Sequence, residues 1–235
     1  MRQPAASNIV VITGTDTAVG KTMVGAGLAR ALTGRGLEVL AVKPVESGTP
    51  AQAAASEDGA ILAAATGQAR PRHALTRLRA PLAPPVAAVE QGVLLDMDAW
   101  CAEIGAYAAA ADIVLVEGAG GVLSPLTATE TSRDLARKLG ARTVLVAADR
   151  LGTLNHTLMA MEALEHAGVP TAAIVLSTPA AADPSTGRNA EALRKFSGYD
   201  RITVLPRVSS FEAAADRLGG VAGWLVRPGA AGSSG

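Results

Sequence analysis

Short apolar runs recur along this chain, and helical stretches separate most of them. Ile9-Val10-Val11-Ile12, Val39-Leu40-Ala41-Val42, Ile113-Val114-Leu115-Val116, Thr143-Val144-Leu145-Val146 and Ala173-Ile174-Val175-Leu176 carry almost no polar position. A strand with one face in water alternates apolar and polar residues, whereas a strand buried on both faces does not. These runs therefore read as central strands. Ala- and Leu-rich stretches predict helices at about Thr22 to Gly34, Met97 to Ala110, Thr131 to Leu139, Leu154 to Ala167 and Pro184 to Phe196. Gly34 and Gly36 sit where the first should stop, and Gly168 with Pro170 ends a later one. The alternation predicts βαβ units: an α/β fold with a doubly wound, mostly parallel sheet, helices on both faces and right-handed crossovers.

Between Pro44 and Pro85 the pattern weakens, leaving one helix at about Glu57 to Thr66 in a segment rich in Ala, Pro and Gly. A long irregular stretch in an α/β protein commonly carries binding functions. No internal repeat interrupts the reading of residues 1–228 as one domain, followed by a flexible Gly/Ser/Ala-rich tail over 229–235.

Composition narrows the partners. The 235 residues are 49% hydrophobic, with 21 basic and 21 acidic side chains and 3% aromatics. Zero net charge argues against a broad nucleic-acid footprint, and so few aromatics argue against base-stacking platforms. Cys101 is the single cysteine, which excludes an internal disulfide and, with three scattered histidines, disfavours a Cys/His zinc site. No stretch reaches the roughly 18 apolar residues of a membrane span. The residues before Asn8 hold no apolar run, so a soluble, cytoplasmic protein is expected.

The strongest chemical signal is Gly14-Thr15-Asp16-Thr17-Ala18-Val19-Gly20-Lys21-Thr22, between a predicted strand and a predicted helix. That is the setting of a phosphate-binding loop, one residue longer than the usual G-x-x-x-x-G-K-[ST] spacing. Backbone amides at the helix start can meet phosphate oxygens, Lys21 can reach the β- and γ-phosphates, and the Thr22 hydroxyl can ligate Mg²⁺. A tight turn alone would explain Gly14 and Gly20. It would not explain a lysine in the first helical turn, where the dipole disfavours it.

Other candidates stand at strand and helix ends. Glu117 closes a buried strand ahead of Gly118-Ala119-Gly120-Gly121, where an acid reaches the ligand crevice of a doubly wound sheet and could hold Mg²⁺. Lys43 closes another, in Val42-Lys43-Pro44-Val45-Glu46-Ser47-Gly48. It could neutralise charge on a transferring phosphoryl group, or simply pair with Glu46 at a solvated strand end. Asp58, next to Glu57, either ligates metal or only caps its helix, and the sequence does not separate the two acids. The helix start at Gly152-Thr153-Leu154-Asn155-His156 can bind a carboxylate through free amides or be an ordinary N-cap. His156 reads as a packed or interface histidine and Cys101 as a small core residue.

Taken together, four blocks resemble the dethiobiotin synthetase family: the loop from Gly14 to Thr22, Lys43-Pro44-Val45-x-Ser47-Gly48, Val116-Glu117-Gly118-Ala119-Gly120-Gly121, and Leu151-Gly152-Thr153-Leu154-Asn155-His156. They come in the family's order over about Asn8 to Leu218. The resemblance implies a P-loop NTPase fold and an ATP- and Mg²⁺-dependent carboxylase. That enzyme closes a ureido ring on 7,8-diaminononanoate with CO₂, forming dethiobiotin, ADP and phosphate. It implies Lys43 and Lys21 as catalytic lysines, and Thr22, Asp58 and Glu117 as metal ligands. The nucleotide would also meet Thr17, Ala18, Val19, Gly20 and Met23, then Gly118, Ala119 and Gly120, with Ser177 and Pro206 toward the base. Thr17 and Ser47 would contact the diamine. In the implied homodimer, Thr153, Leu154 and Asn155 of the partner subunit would receive the substrate carboxylate.

Two other classes share the loop. A partitioning- or carrier-type switch ATPase usually has a second lysine early in it, where this chain has Asp16, and lacks the Lys43 block. An amidoligase needs a glutaminase domain, and about thirty residues after the last strand are too few for one. The chain also departs from the family. Ala18 stands where Glu is common, and Ser177-Thr178 stands where Asn-Asp often reads adenine. A short hydroxyl cannot reproduce the paired donor and acceptor of an amide. Weak base selectivity is therefore expected: several nucleoside triphosphates at matched concentrations should support similar turnover, and a strict ATP requirement would overturn the expectation.

Overall fold

The computed structural model describes residues 7–226. The tail predicted over 229–235 lies outside the described residues. Six strands form one parallel sheet: β1 (Ile9–Gly14), β2 (Val39–Val42), β5 (Ile113–Glu117), β6 (Arg142–Ala148), β7 (Thr171–Ser177) and β8 (Ile202–Leu205). Their order is β2-β5-β1-β6-β7-β8. Strand order thus reverses around β1, and the carboxyl ends of such a reversal open the crevice where ligands bind. β3 (Val45–Ser47) and β4 (Thr76–Leu78) pair parallel to each other as a separate two-stranded sheet.

The continuous apolar runs are explained by burial on both faces. Val10, Ile12 and Leu115 face α1 (Lys21–Thr33), α2 (Asp58–Thr66) and α8 (Phe211–Leu225), packing with Val24, Leu28, Leu62 and Leu218. Val11, Val114, Val116 and Leu145 face the other layer. There they meet Trp100 and Ile104 of α4 (Met97–Ala110), Leu135 of α5 (Ser132–Lys138), Leu164 of α6 (Thr153–His166) and Leu193 of α7 (Asn189–Ser197). Each such fully buried side chain contributes roughly 1.5–3 kcal/mol.

The predicted strands and helices are present, with boundary shifts of a residue or two except at α7. That helix begins at Asn189 rather than Pro184, because side chains claim the intervening backbone. The Ser185 amide and hydroxyl donate to Asp183 Oδ1 at 2.7 and 2.6 Å, and Asn189 Nδ2 donates to the buried Asp149 carboxylate at 2.7 Å. The pattern did not name β3, β4, β8, α3 (Pro84–Gln91) or α8. α8 carries Gly219-Gly220, each costing about 1 kcal/mol of helix propensity relative to Ala. Burial of Ala214, Leu218, Val221 and Leu225 overrides that cost.

β2 is an edge strand, and edges invite unwanted pairing. Gln68 covers it. Its Oε1 accepts from Ala41 N at 2.8 Å, while its Nε2 donates to Ala41 O at 2.9 Å and Pro71 O at 2.6 Å. One amide thus mimics a residue of a neighbouring strand. Gln68→Ala should lower unfolding free energy in urea by about 1–3 kcal/mol, since two strand groups lose their partner. A loss below about 0.5 kcal/mol would mean that water replaces the amide without cost.

Candidate active site

The loop after β1 wraps back to α1 through Gly20, whose φ of 97° lies in the left-handed region. A Cβ there would also sit 2.7 Å from Ser177 Oγ, so glycine is needed twice over. No side chain caps α1, which leaves its first amides free for an anion. Lys21 is 6% exposed, and its Nζ donates to Asp16 O at 2.8 Å. Burial, then the neighbouring Lys43 charge, lowers its pKa.

Lys43, Asp58, Glu117 and Thr22 meet beneath this loop. β2 pairs with β5 so that Val42 is level with Val116, which brings Lys43 and Glu117 out of the sheet side by side. Lys43 is 3% exposed, and its ammonium donates to Glu117 Oε1 at 2.7 Å, Asp58 Oδ2 at 2.9 Å and Gly118 O at 3.3 Å. All three of its protons have an acceptor. Thr22 Oγ1 lies 2.7 Å from Asp58 Oδ1 and 3.0 Å from Glu117 Oε1.

Burial opposes the charge on Lys43, but Glu117 and Asp58 outweigh it and hold its pKa above the usual lysine range. Burial likewise opposes ionisation of Asp58, where the Lys43 charge prevails and holds the carboxyl low. At Glu117 burial wins and pushes the carboxyl up, the Lys43 charge offsetting only part of it.

The oxygens suit a hard cation. Thr22 Oγ1, Asp58 Oδ1 and Glu117 Oε1 converge, and Glu117 Oε2 is buried without a hydrogen-bond partner. Among the described residues no group of three or more His, Cys, Asp or Glu could hold a metal ion by itself. A hydroxyl and two carboxylates match the other mode, in which Mg²⁺ takes few protein oxygens and completes its shell from phosphates and water.

The structure also separates the adjacent acids. Asp58 faces Lys43 and Thr22, whereas Glu57 turns away. Glu57 is gripped by Arg77 Nε and Nη2, both at 2.7 Å, and accepts from Ala54 N at 2.7 Å. The Arg77 bond holds the Glu57 carboxyl below its ordinary range.

A cavity of about 970 Å³ opens above the cluster. Thr17, Ala18, Gly20, Lys21, Thr22, Met23, Lys43, Ser47, Asp58, Glu117, Ala119 and Gly120 line it. Gly118 stays outside but gives its carbonyl to Lys43. Val19 is buried in the core beside α1, and Ser177 touches the loop at Gly20. Pro206 is exposed at the end of β8, and Thr153, Leu154 and Asn155 are not in the cavity lining. His156 is exposed rather than packed, because α6 turns it outward. Sequence reasoning missed the apolar wall of Val45, Ile61, Pro81, Leu82, Pro84 and Pro125, and it read Glu46 only as a partner for Lys43. Glu46 instead receives the amides of Asp58 and Gly59.

Fold and site together define a P-loop nucleotide-binding protein, and residues 8–215 match the family model described as an AAA domain. The chain is 44% identical to the ATP-dependent dethiobiotin synthetase of Caulobacter sp. (strain K31), over 87% of this chain and 90% of that protein. It is 40% identical to that of Anaeromyxobacter dehalogenans (strain 2CP-C), over 89% and 95%. The chain belongs to the ATP-dependent dethiobiotin synthetase family. Its fold is shared by the septum site-determining protein of Pyrococcus horikoshii OT3, complexed with Mg-ADP, at a TM-score of 0.60 and 16% identity over 91% and 93% of the two chains. A ParA family ATPase from Chlorobium tepidum TLS follows at 0.57 and 13%, over 94% and 98%.

Lys43→Ala should be costly and pH-dependent. Removing the cation strands the buried Glu117, a loss of about 3–5 kcal/mol. Burial already raises the folded pKa of Glu117 above its unfolded value, and losing Lys43 raises it further. A native state that binds more protons loses stability as pH rises, so the deficit should be widest at about pH 8 and shrink toward about pH 5. Urea unfolding without nucleotide measures it; a deficit that does not change with pH would exclude Glu117 as the cause.

Proposed function

We propose that this chain forms dethiobiotin from 7,8-diaminononanoate, CO₂ and ATP, releasing ADP and phosphate. The observation that carries the reading is Lys43: a charged lysine, 3% exposed, where the phosphate loop meets an apolar cavity. One substrate amine adds to CO₂ and loses a proton, giving a carbamate. A carbamate oxygen attacks the γ-phosphorus and ADP leaves, giving a carbamic–phosphoric anhydride. The second amine attacks the carbamoyl carbon, loses its proton and expels phosphate. No protein nucleophile is required; orientation and charge are.

The α1 amides and Lys21 hold the phosphates. Lys43 turns from its carboxylates toward the carbamate and the γ-phosphate, and stabilises charge that grows in the transition state. Thr22, Asp58 and Glu117 would hold Mg²⁺, which when bound supplies positive charge to the phosphate oxygens. Thr17 and Ser47 take the diamine end; Ser47 Oγ is buried without a partner and lines the cavity. Ala18, Met23, Ala119 and Gly120 flank the nucleotide, with Ser177 and Pro206 toward its base. The substrate carboxylate goes to the α6 N-terminus of a second copy, which makes the enzyme a homodimer, and we read it as cytoplasmic. The exposed Leu151 beside that helix start supports an interface there. The switch-ATPase alternative has only fold likeness at 13–16% identity behind it.

Phosphate release with Mg-ATP and bicarbonate should depend on the diamine and yield a cyclic urea by mass spectrometry. Diamine-independent hydrolysis would return the protein to the switch class. Lys43→Gln should lower kcat by about 100-fold or more while leaving ATP affinity within about threefold. Near-normal kcat would remove Lys43 from the reaction.

A further inference from the structure

We propose that Glu46 is a positioning residue that aims Asp58 into the site by capping α2 from outside the helix. The proposal rests on the reading of Asp58 as a metal ligand. α2 lacks a cap of its own: Glu57 stands at the N-cap, and its side chain makes no capping bond. Glu46 supplies both acceptors instead. Its Oε1 takes the Asp58 amide at 2.7 Å and its Oε2 the Gly59 amide at 3.1 Å. A carboxylate on the first helical amides also suits the dipole.

The residues on either side are fixed by different elements. Glu57 is held by Arg77, which sits level with Glu46 across the β3–β4 pair. Gly59 lies so close to the chain at His73 and Ala74 that a Cβ would come within 2.5 Å of Ala74 N. Three consecutive residues are thus clamped by β4, by Glu46 and by the backbone ahead of β4. The Asp58 side chain between the outer two clamps points toward Thr22 and Lys43. The small sheet serves as a bracket for one carboxylate, and Glu46, three residues after Lys43, ties the lysine's own segment to it.

The test uses Mn²⁺ as the probe ion with ADP present, read by electron paramagnetic resonance, and amide exchange of the ligand-free chain. Glu46→Ala should weaken Mn²⁺ binding about tenfold, about 1.4 kcal/mol, and speed exchange at Asp58 and Gly59. Glu46→Gln keeps an oxygen for the Asp58 amide, so it should fall between wild type and Glu46→Ala. It also carries the test if the alanine variant does not fold. Wild-type Mn²⁺ affinity alongside faster exchange would overturn the proposal and leave Glu46 a purely structural cap. Asp58→Asn separates the two failures. If it weakens Mn²⁺ binding and the Glu46 variants do not, only the positioning role falls; if it binds Mn²⁺ as wild type does, the ligand reading of Asp58 falls and the proposal with it.

Discussion

The Lys43 ammonium, buried between Glu117 and Asp58, is the contact on which the rest of this structure depends. A buried charge is tolerated only with partners in hydrogen-bonding geometry, and such a pair is weak evidence for stability in itself. Its demands on the fold are specific. Two parallel strands must end level, so that a lysine after one meets a glutamate closing the other. A helix from a different part of the chain must then bring the second carboxylate. The sheet order and the β2–β5 register meet the first demand, and the start of α2 meets the second.

That division explains what could be read from the residues. The central strands were legible because burial on both faces erases the polar alternation, and the phosphate loop because it joins strand to helix. Lys21, Thr22, Lys43 and Glu117 then followed, each lying at the carboxyl end of such a strand or in the first helical turn after the loop. The choice between Glu57 and Asp58 was not legible. It is made by Arg77, Glu46 and the backbone at His73 and Ala74, none of which announces itself by periodicity. Three-residue strands such as β3 and β4 are too short to show a period, so the bracket they form was invisible. The late start of α7 was hidden similarly, since Asp149, forty residues away, holds Asn189.

Relatives at 40–44% identity assign the family, while the fold neighbours at 13–16% say only that the sheet and loop recur. In this chain the phosphate loop opens into a cavity walled by Val45, Ile61, Pro81, Leu82, Pro84 and Pro125. An apolar wall beside a phosphate cradle fits a substrate with an aliphatic stem and polar reacting groups.

Lys43 sits at the seam between these two environments, and that position argues for group transfer over hydrolysis. Thiol chemistry has no foothold in the cavity: Cys101 is outside its lining, and burial raises its pKa and favours the unreactive thiol. What remains is charge and placement. The two carboxylates and the Gly118 carbonyl already take all three protons of the ammonium, so it must exchange such bonds for bonds to an incoming anion. On the proposed roles, Asp58 and Glu117 would be the counter-ions that hold Lys43 charged at the seam and, were a metal bound with the nucleotide, oxygens able to ligate it.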